Sequence, residues 1–377
     1  MAVVTALATL PIAGPVRAQS PDRAGLTASD ERISDLVRVW YFARLFHPDL
    51  ARRDEAWDAA LVAAVPPART AKDDAAFAAV VDEMLAKAGR SHAFAPFAAP
   101  APPVAAPPFR LVQGAAVADC VGIADVIENQ SLPDPDAAVA SAIRQRGLVI
   151  DCRHFASRGA AAERRSFQFI STDAWVRDQI AAVAPRALPG GADRVRFHDG
   201  YPPPAQFILD DYQNGLSDVA LAPVKGGGGA ETRRITFLLD ATTPLESLSP
   251  IAAAQAAAIA RVVVEGDAAA LERHPLSLRH VRADVLTARY VYPDGRVGFR
   301  PDACVPEGRG DEALARAIAL LDPHVVSQGC AAPPTGPRDA TGPAPAAPGG
   351  ALEAGTRVLA LAKLWGAIEY FYPYQAL

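Results

Sequence analysis

Residues 233–266, RRITFLLDATTPLESLSPIAAAQAAAIARVVVEG, set the narrowest limits on the fold. Two short apolar runs, ITFLLD and RVVVEG, flank an alanine-rich helical segment at 250–260. A chain that leaves a strand, passes through a helix and enters a second strand lays the two parallel, because antiparallel neighbours need only a short turn. GLVIDC (147–152) reads as another short buried strand, preceded by a helix, DPDAAVASAIRQR, that ends at Gly147. STDAWVRDQIAAVA reads as a helix capped by Ser171. RVRFHDG reads as a strand, and LTARYVYPDGRVGF as a hairpin turning on Asp294-Gly295. With the helix GDEALARAIALL as its close, the region 110–325 is expected to be an α/β core with a parallel sheet.

Helical spacing governs the residues before it. Ile33, Leu36, Val37 and Trp40 share one face of a helix, DEAWDAALVAAV follows as a second, and TAKDDAAFAAVVDEMLAKAG as a third. Thr70 and Asp73 are placed as a capping box for that third helix and Gly89 as its C-cap. Residues 31–92 thus form a helical N-terminal module. The opening helix then returns: setting Trp40 on Trp365 also matches Arg32 with Arg357, Leu36 with Leu361, Phe46 with Phe371 and Pro48 with Pro373. A linker rich in Pro, Ala and Gly (331–352) separates the module from this copy. Residues 356–377 read as the start of a second module, a helix with nothing of its own to pack on.

Charge and cysteine usage exclude several functions. In 377 residues the formal net charge is −5, with no basic run or basic–aromatic stripe, which argues against a nucleic-acid partner. Residues 1–18 resemble a secretory signal peptide, an apolar run closed by small residues at Val16 and Ala18, so export to the periplasm or beyond is expected. No later segment reads as membrane-spanning. Cys120, Cys152, Cys304 and Cys330 show no CxxC and no paired His spacing, so neither zinc nor any other cofactor is implied. In an exported chain they allow one or two disulfides of open connectivity, with Cys152 equally readable as a buried free thiol.

The turn between the two parallel strands is where chemistry is expected. A Ser between a strand and a helix stands near backbone donors that stabilise an oxyanion. Ser247 and Ser249 both qualify, although Ser249 before Pro250 has the pattern of an N-cap with Pro at N1. A base is needed, and His92 in GRSHAF, beside Ser91, is the most suggestive histidine. His154, just past the end of a strand, is a second. KGGGGAE (225–231) lacks the GK[ST] ending of a phosphate loop and reads as a flexible loop.

In this order the segments VRVWYFARLFHPDL, MLAKAGRSHAF, GLVIDCR, ITFLLDATTPLES…AAIARVVVEG and VYPDGRVGFRPDACVP resemble the tail-specific, or C-terminal-processing, serine peptidases, the tricorn core type among them. The resemblance covers most of residues 31–325 and implies a crotonase-like α/β core. Counting back from RVVVEG carries the family's nucleophile onto Ser247; counting forward from the strand 235–240 reaches Leu245. The base falls on His92, its acidic partner on Asp294, and one oxyanion donor on the N–H of Leu248. A Ser–Lys version finds no lysine in GDAAALERHPLSLRH. The resemblance implies an exported serine endopeptidase that cleaves unfolded or C-terminal peptide segments through an acyl-enzyme. DCRHFASRG lacks the glycines that follow the family's Asp-x-Arg, Pro250 replaces an acidic residue, and no PDZ insert is recognisable. These departures favour a second reading, a pseudo-peptidase that holds peptide segments for a downstream catalytic module.

Overall fold

The computed structural model describes residues 26–51, 53–96, 107–129, 132, 134–154, 162–199, 213–228, 233–243, 245–330 and 353–371. The expected signal peptide and the 331–352 linker lie outside them. Helix α1 (Ala28–Phe46) opens on a capping box in which Thr27 and Asp30 each accept the other's backbone N–H. Its core stripe, Leu36, Val39, Trp40 and Ala43, is fully buried. Trp40 and Trp57 lock α1 to α2 (Asp54–Thr70), each indole N–H donating to the other residue's carbonyl at 3.0 Å. Helix α2 runs through Pro66-Pro67 to Thr70, past the expected end. Thr70 therefore closes α2 and cannot cap α3 (Asp74–Ala86), whose cap is Asp73 alone, accepting from Ala76 N–H at 2.7 Å. Gly89, at φ +83°, turns the chain out of α3 into β1 (His92–Phe94).

The mixed core follows. Strands β2 (Phe109–Val112) and β3 (Ala115–Asp119) lead through α4 (Cys120–Asn129) and α5 (Ala137–Gln145) to β4 (Leu148–Asp151). Beyond α6 (Ala162–Val183), β5 (Ala192–Asp199) and β6 (Gln213–Ala220) come β7 (Ile235–Asp240), α7 (Leu245–Ala256) and β8 (Ala260–Glu265), the strand–helix–strand unit read in the sequence. Strands β9 (Arg273–Ser277), β10 (Arg282–Leu286), β11 (Ala288–Val291) and β12 (Ala303–Val305) precede α8 (Gly310–Ala319) and α9 (Ala354–Phe371). The main sheet has the order β12-β8-β7-β4-β3-β2, parallel except for β2 at one edge. Its central strands are apolar on both faces because both are covered. Leu148, Ile150, Phe237, Leu239, Val262 and Val264 face the layer that holds α4 to α7, while Val149, Leu238 and Val263 face α8. Two three-stranded antiparallel sheets, β1-β10-β9 and β11-β5-β6, flank this core.

Several local expectations change. Helix α6 starts nine residues before Ser171, and Ser171 lies within it; Thr172 is buried there and Asp173 pairs with Arg177 one turn on, so this polar run is helix interior. Helix α7 starts at Leu245, which puts Pro250 inside it and removes Ser249 from the N-cap. The Tyr292–Gly295 turn forms as expected, but its second strand is one bridge, Val291 to Val297, while the other edge of β11 pairs with β5. Cys152 is no free thiol: disulfides join Cys120 to Cys152 and Cys304 to Cys330.

Helix α9 does find something to pack on. Val358 and Ala362 are buried in the core of α1 to α3, Trp365 and Tyr370 meet Tyr41, and Lys363 pairs with Asp58. Two glycines permit the approach. Pro66 lacks the N–H that would bond the Val62 carbonyl, and a Cβ on Gly355 would stand 2.6 Å from that oxygen. A Cβ on Gly366 would overlap the ring of Tyr41. Gly366→Val is therefore expected to weaken α9 docking by about 1–3 kcal/mol. Amide exchange would show it as faster exchange over 354–371 with α1 unchanged; equal exchange in parent and variant would refute the contact.

Candidate functional site at the carboxyl ends of the parallel strands

Ligands of open α/β sheets bind beyond the carboxyl ends of the strands. Here the four central strands each end in an acid: Asp119 on β3, Asp151 on β4, Asp240 on β7 and Glu265 on β8. Register sets Asp119 beside Asp151 and Asp240 beside Glu265. Like charges in a row need cations, and two arginines supply them. Arg110 reaches Asp119 at 3.3 Å and Asp151 at 3.5 Å. Arg153, 8 % exposed, grips Asp151 with two hydrogen bonds of 2.9 Å, pairs with Glu265 and donates to the Gly310 carbonyl at 3.2 Å. Burial alone would lower the Arg153 pKa, but the hydrogen bonds and charge of Asp151 and then Glu265 outweigh it and hold the guanidinium above its ordinary value.

Asp240 is held differently, by hydrogen bonds. One carboxylate oxygen accepts the Thr242 N–H at 2.8 Å and the Thr242 hydroxyl at 2.6 Å. The other accepts the His154 N–H at 2.9 Å, with the His154 Nδ1 3.5 Å away. His154 holds φ at +63°, the left-handed region that a non-glycine side chain seldom occupies, and this conformation turns its N–H toward Asp240. Thr243 completes the turn: its hydroxyl donates to the Cys152 carbonyl at 3.0 Å and accepts the Asp240 N–H at 3.1 Å. The donors of the β4 end and the β7–α7 turn thus converge on a carboxylate that belongs to the protein itself.

The residues singled out in the sequence lie on separate elements. Ser247 is the third residue of α7, in its first turn. Leu248, the fourth, is buried in the core, and the fourth residue of a helix is the first whose N–H enters the helical ladder. Ser249 is buried, its hydroxyl 3.4 Å from the Gly190 carbonyl. His92 is on β1, in the sheet packed on the helical module, where its Nδ1 meets Asp82 at 3.2 Å. Ser91 is buried and accepts the Leu286 N–H at 3.0 Å. Asp294 sits half-exposed in its turn; the Arg296 N–H, then the Arg296 side chain, lower its pKa. Among the described residues no contact links His92 to Asp294. The partner of Asp294 is Arg296, and the carboxylate on His92 is Asp82.

Sequence reasoning passed over Asp119, Asp240 and Glu265, and took Asp151 and Arg153 only as the Asp-x-Arg of the resemblance. The signal was present, since VAD, VID, LLD and VVVE each close an apolar run with an acid. Lys225–Gly228 lies against the end of α6, with the Gly227 N–H donating to Ala181 at 2.8 Å. No group of three or more His, Cys, Asp or Glu that could hold a metal, and no helix long and apolar enough to cross a membrane, occurs among the described residues.

No family model matches the chain, and no curated protein does. Among solved structures, a putative peptidase from Parabacteroides merdae is 11% identical, over 78% of this chain and 97% of that one, at a TM-score of 0.39. A lipoprotein from Streptococcus agalactiae is 9% identical over the same shares, at 0.36. A photosystem II D1 C-terminal processing protease is 14% identical over 62% of this chain and 52% of that one, at 0.27. At such identities and TM-scores these likenesses assign the chain to no family.

Proposed function

We propose that this chain is a peptidase-like module, with a crotonase-like core, that binds extended peptide segments without cleaving them. The observation that carries this reading is the Asp240 carboxylate, which takes the backbone donors of His154 and Thr242. Acyl transfer needs such donors aimed at a developing oxyanion. A fixed carboxylate in their place competes for the same N–H groups and repels the same charge. Strand β6, the edge of its sheet with Leu216 and Val219 half-exposed, gives an extended peptide a strand to pair with.

A second reading rests on a different contact. Asp82 on His92 Nδ1 orients an imidazole as the acid of a Ser–His–Asp triad does, and in an active enzyme His92 would deprotonate Ser247. Purified chain incubated with casein separates the two. The expected outcome is no cleavage by the folded parent, together with binding of fluorescein-labelled, carboxymethylated casein seen as a rise in anisotropy. Cleavage abolished by both Ser247→Ala and His92→Ala would establish the second reading. Neither cleavage nor binding would remove both.

A further inference from the structure

Helix α9 exposes Leu361, Leu364 and Ile368 at 66, 62 and 49 %, three large apolar groups on one stripe. The first copy of this helix shows what such a stripe carries. Their counterparts Leu36, Val39 and Ala43, with Trp40 in the place of Trp365, are all 0 % exposed in the core that α1 forms with α2 and α3. Arg32 extends the same stripe of α1 and donates to the Ala71 carbonyl at 2.7 Å and to Asp74 at 3.3 Å, where α2 gives way to α3. Its counterpart Arg357 is exposed. The contacts of α9 with α1 and α2 use an adjoining face, Val358, Ala362 and Gly366, with Trp365 against Tyr41 at its margin, and leave Arg357, Leu361, Leu364 and Ile368 in solvent. Five matched positions, one of them a charge with a known partner in the first copy, define the kind of cover this stripe fits.

We propose that the outer face of α9 is the docking surface for a helix pair built like α2 and α3. The first helix of that pair would present an aromatic residue to Trp365 as Trp57 does to Trp40. The second would open with an acid for Arg357, as Asp74 does for Arg32.

The test gives α9 such a pair in the register of the repeat. Residue 377 corresponds to residue 52, so a second copy of residues 53–96 is fused directly after Leu377 of the full chain. All four native cysteines are in disulfides, so Leu364→Cys provides a single thiol to label with a maleimide. Labelling is expected to be fast and independent of protein concentration in the unextended chain. It should slow at least tenfold in the fused one, and return toward the first rate when the fused Asp74 equivalent becomes Arg. Equal rates with and without the fusion overturn the proposal whether or not circular dichroism shows new helix, because the same residues fold where α1 offers this stripe. Labelling of the unextended chain that slows with protein concentration overturns it in favour of a second copy.

Discussion

Arg153→Met is expected to destabilise the fold by about 3–5 kcal/mol, the cost of breaking a buried ion pair by removing one partner. The size follows from what stays behind. Asp151 and Glu265 are 4 and 7 % exposed, and Arg153 is the cation that neutralises both. Without it Asp151 keeps Arg110, at 3.5 Å, and the backbone N–H of residue 153, at 3.3 Å, and Glu265 keeps the Gly308 N–H at 3.1 Å. Methionine fills much of the space but none of the hydrogen bonds. Urea unfolding at neutral pH reads the loss, and two controls interpret it. Arg110→Met removes a cation that is 27% exposed by side chain, so it should cost less than about 1 kcal/mol. Adding Asp151→Asn and Glu265→Gln to Arg153→Met should recover more than half of the loss, since the charges that needed a cation are gone. A small effect of Arg153→Met alone would mean that the row of acids is not held together by charge.

The same network explains why the fold could be read further than the site. ITFLLD and RVVVEG each carry their strand character locally, and the helix between them fixes their direction, so the β7–α7–β8 unit needed no distant information. Arg153 meets Glu265 across 112 positions and the His154 N–H meets Asp240 across 86, and no local pattern announces either bond. His92 looked like a loop residue close to the core chemistry because GRSHAF follows a helix. Its strand instead pairs with β10, about 190 positions later, and that pairing carries it into the sheet on the helical module. Ser249-Pro250 misled for a related reason: the cap pattern is favourable in isolation, but burial of Leu248 and Ile251 against the sheet draws the helix start back to Leu245. The repeat in α9 was readable because it is a comparison of the chain with itself. Its docking on α1 was not, since it turns on Gly366 meeting Tyr41.

Acidification should loosen the helical module through His47. This imidazole is fully buried at the end of α1, with Nε2 3.0 Å from the Gly89 carbonyl and Nδ1 accepting the Asp49 N–H at 3.1 Å. One nitrogen must donate and the other accept, so the neutral ring is the form that fits. Burial pushes its pKa down to about 4; the Gly89 carbonyl and Asp49 oppose the shift, and Arg289 and Arg196 add to it. The unfolded chain takes up the proton near pH 6.5 and the folded one only near 4, so this group's contribution is complete above about 6.5. It declines as pH falls from there to about 4, by about 3 kcal/mol in all, and changes no further below that. His47→Gln keeps a donor and an acceptor without a titrating group. Urea unfolding from pH 7 to 4 should therefore give a flatter profile for the variant, with the parent losing about 3 kcal/mol more over that interval. Parallel profiles would mean that the folded protein binds this proton as readily as the unfolded chain, which a ring held between Gly89 and Asp49 does not allow.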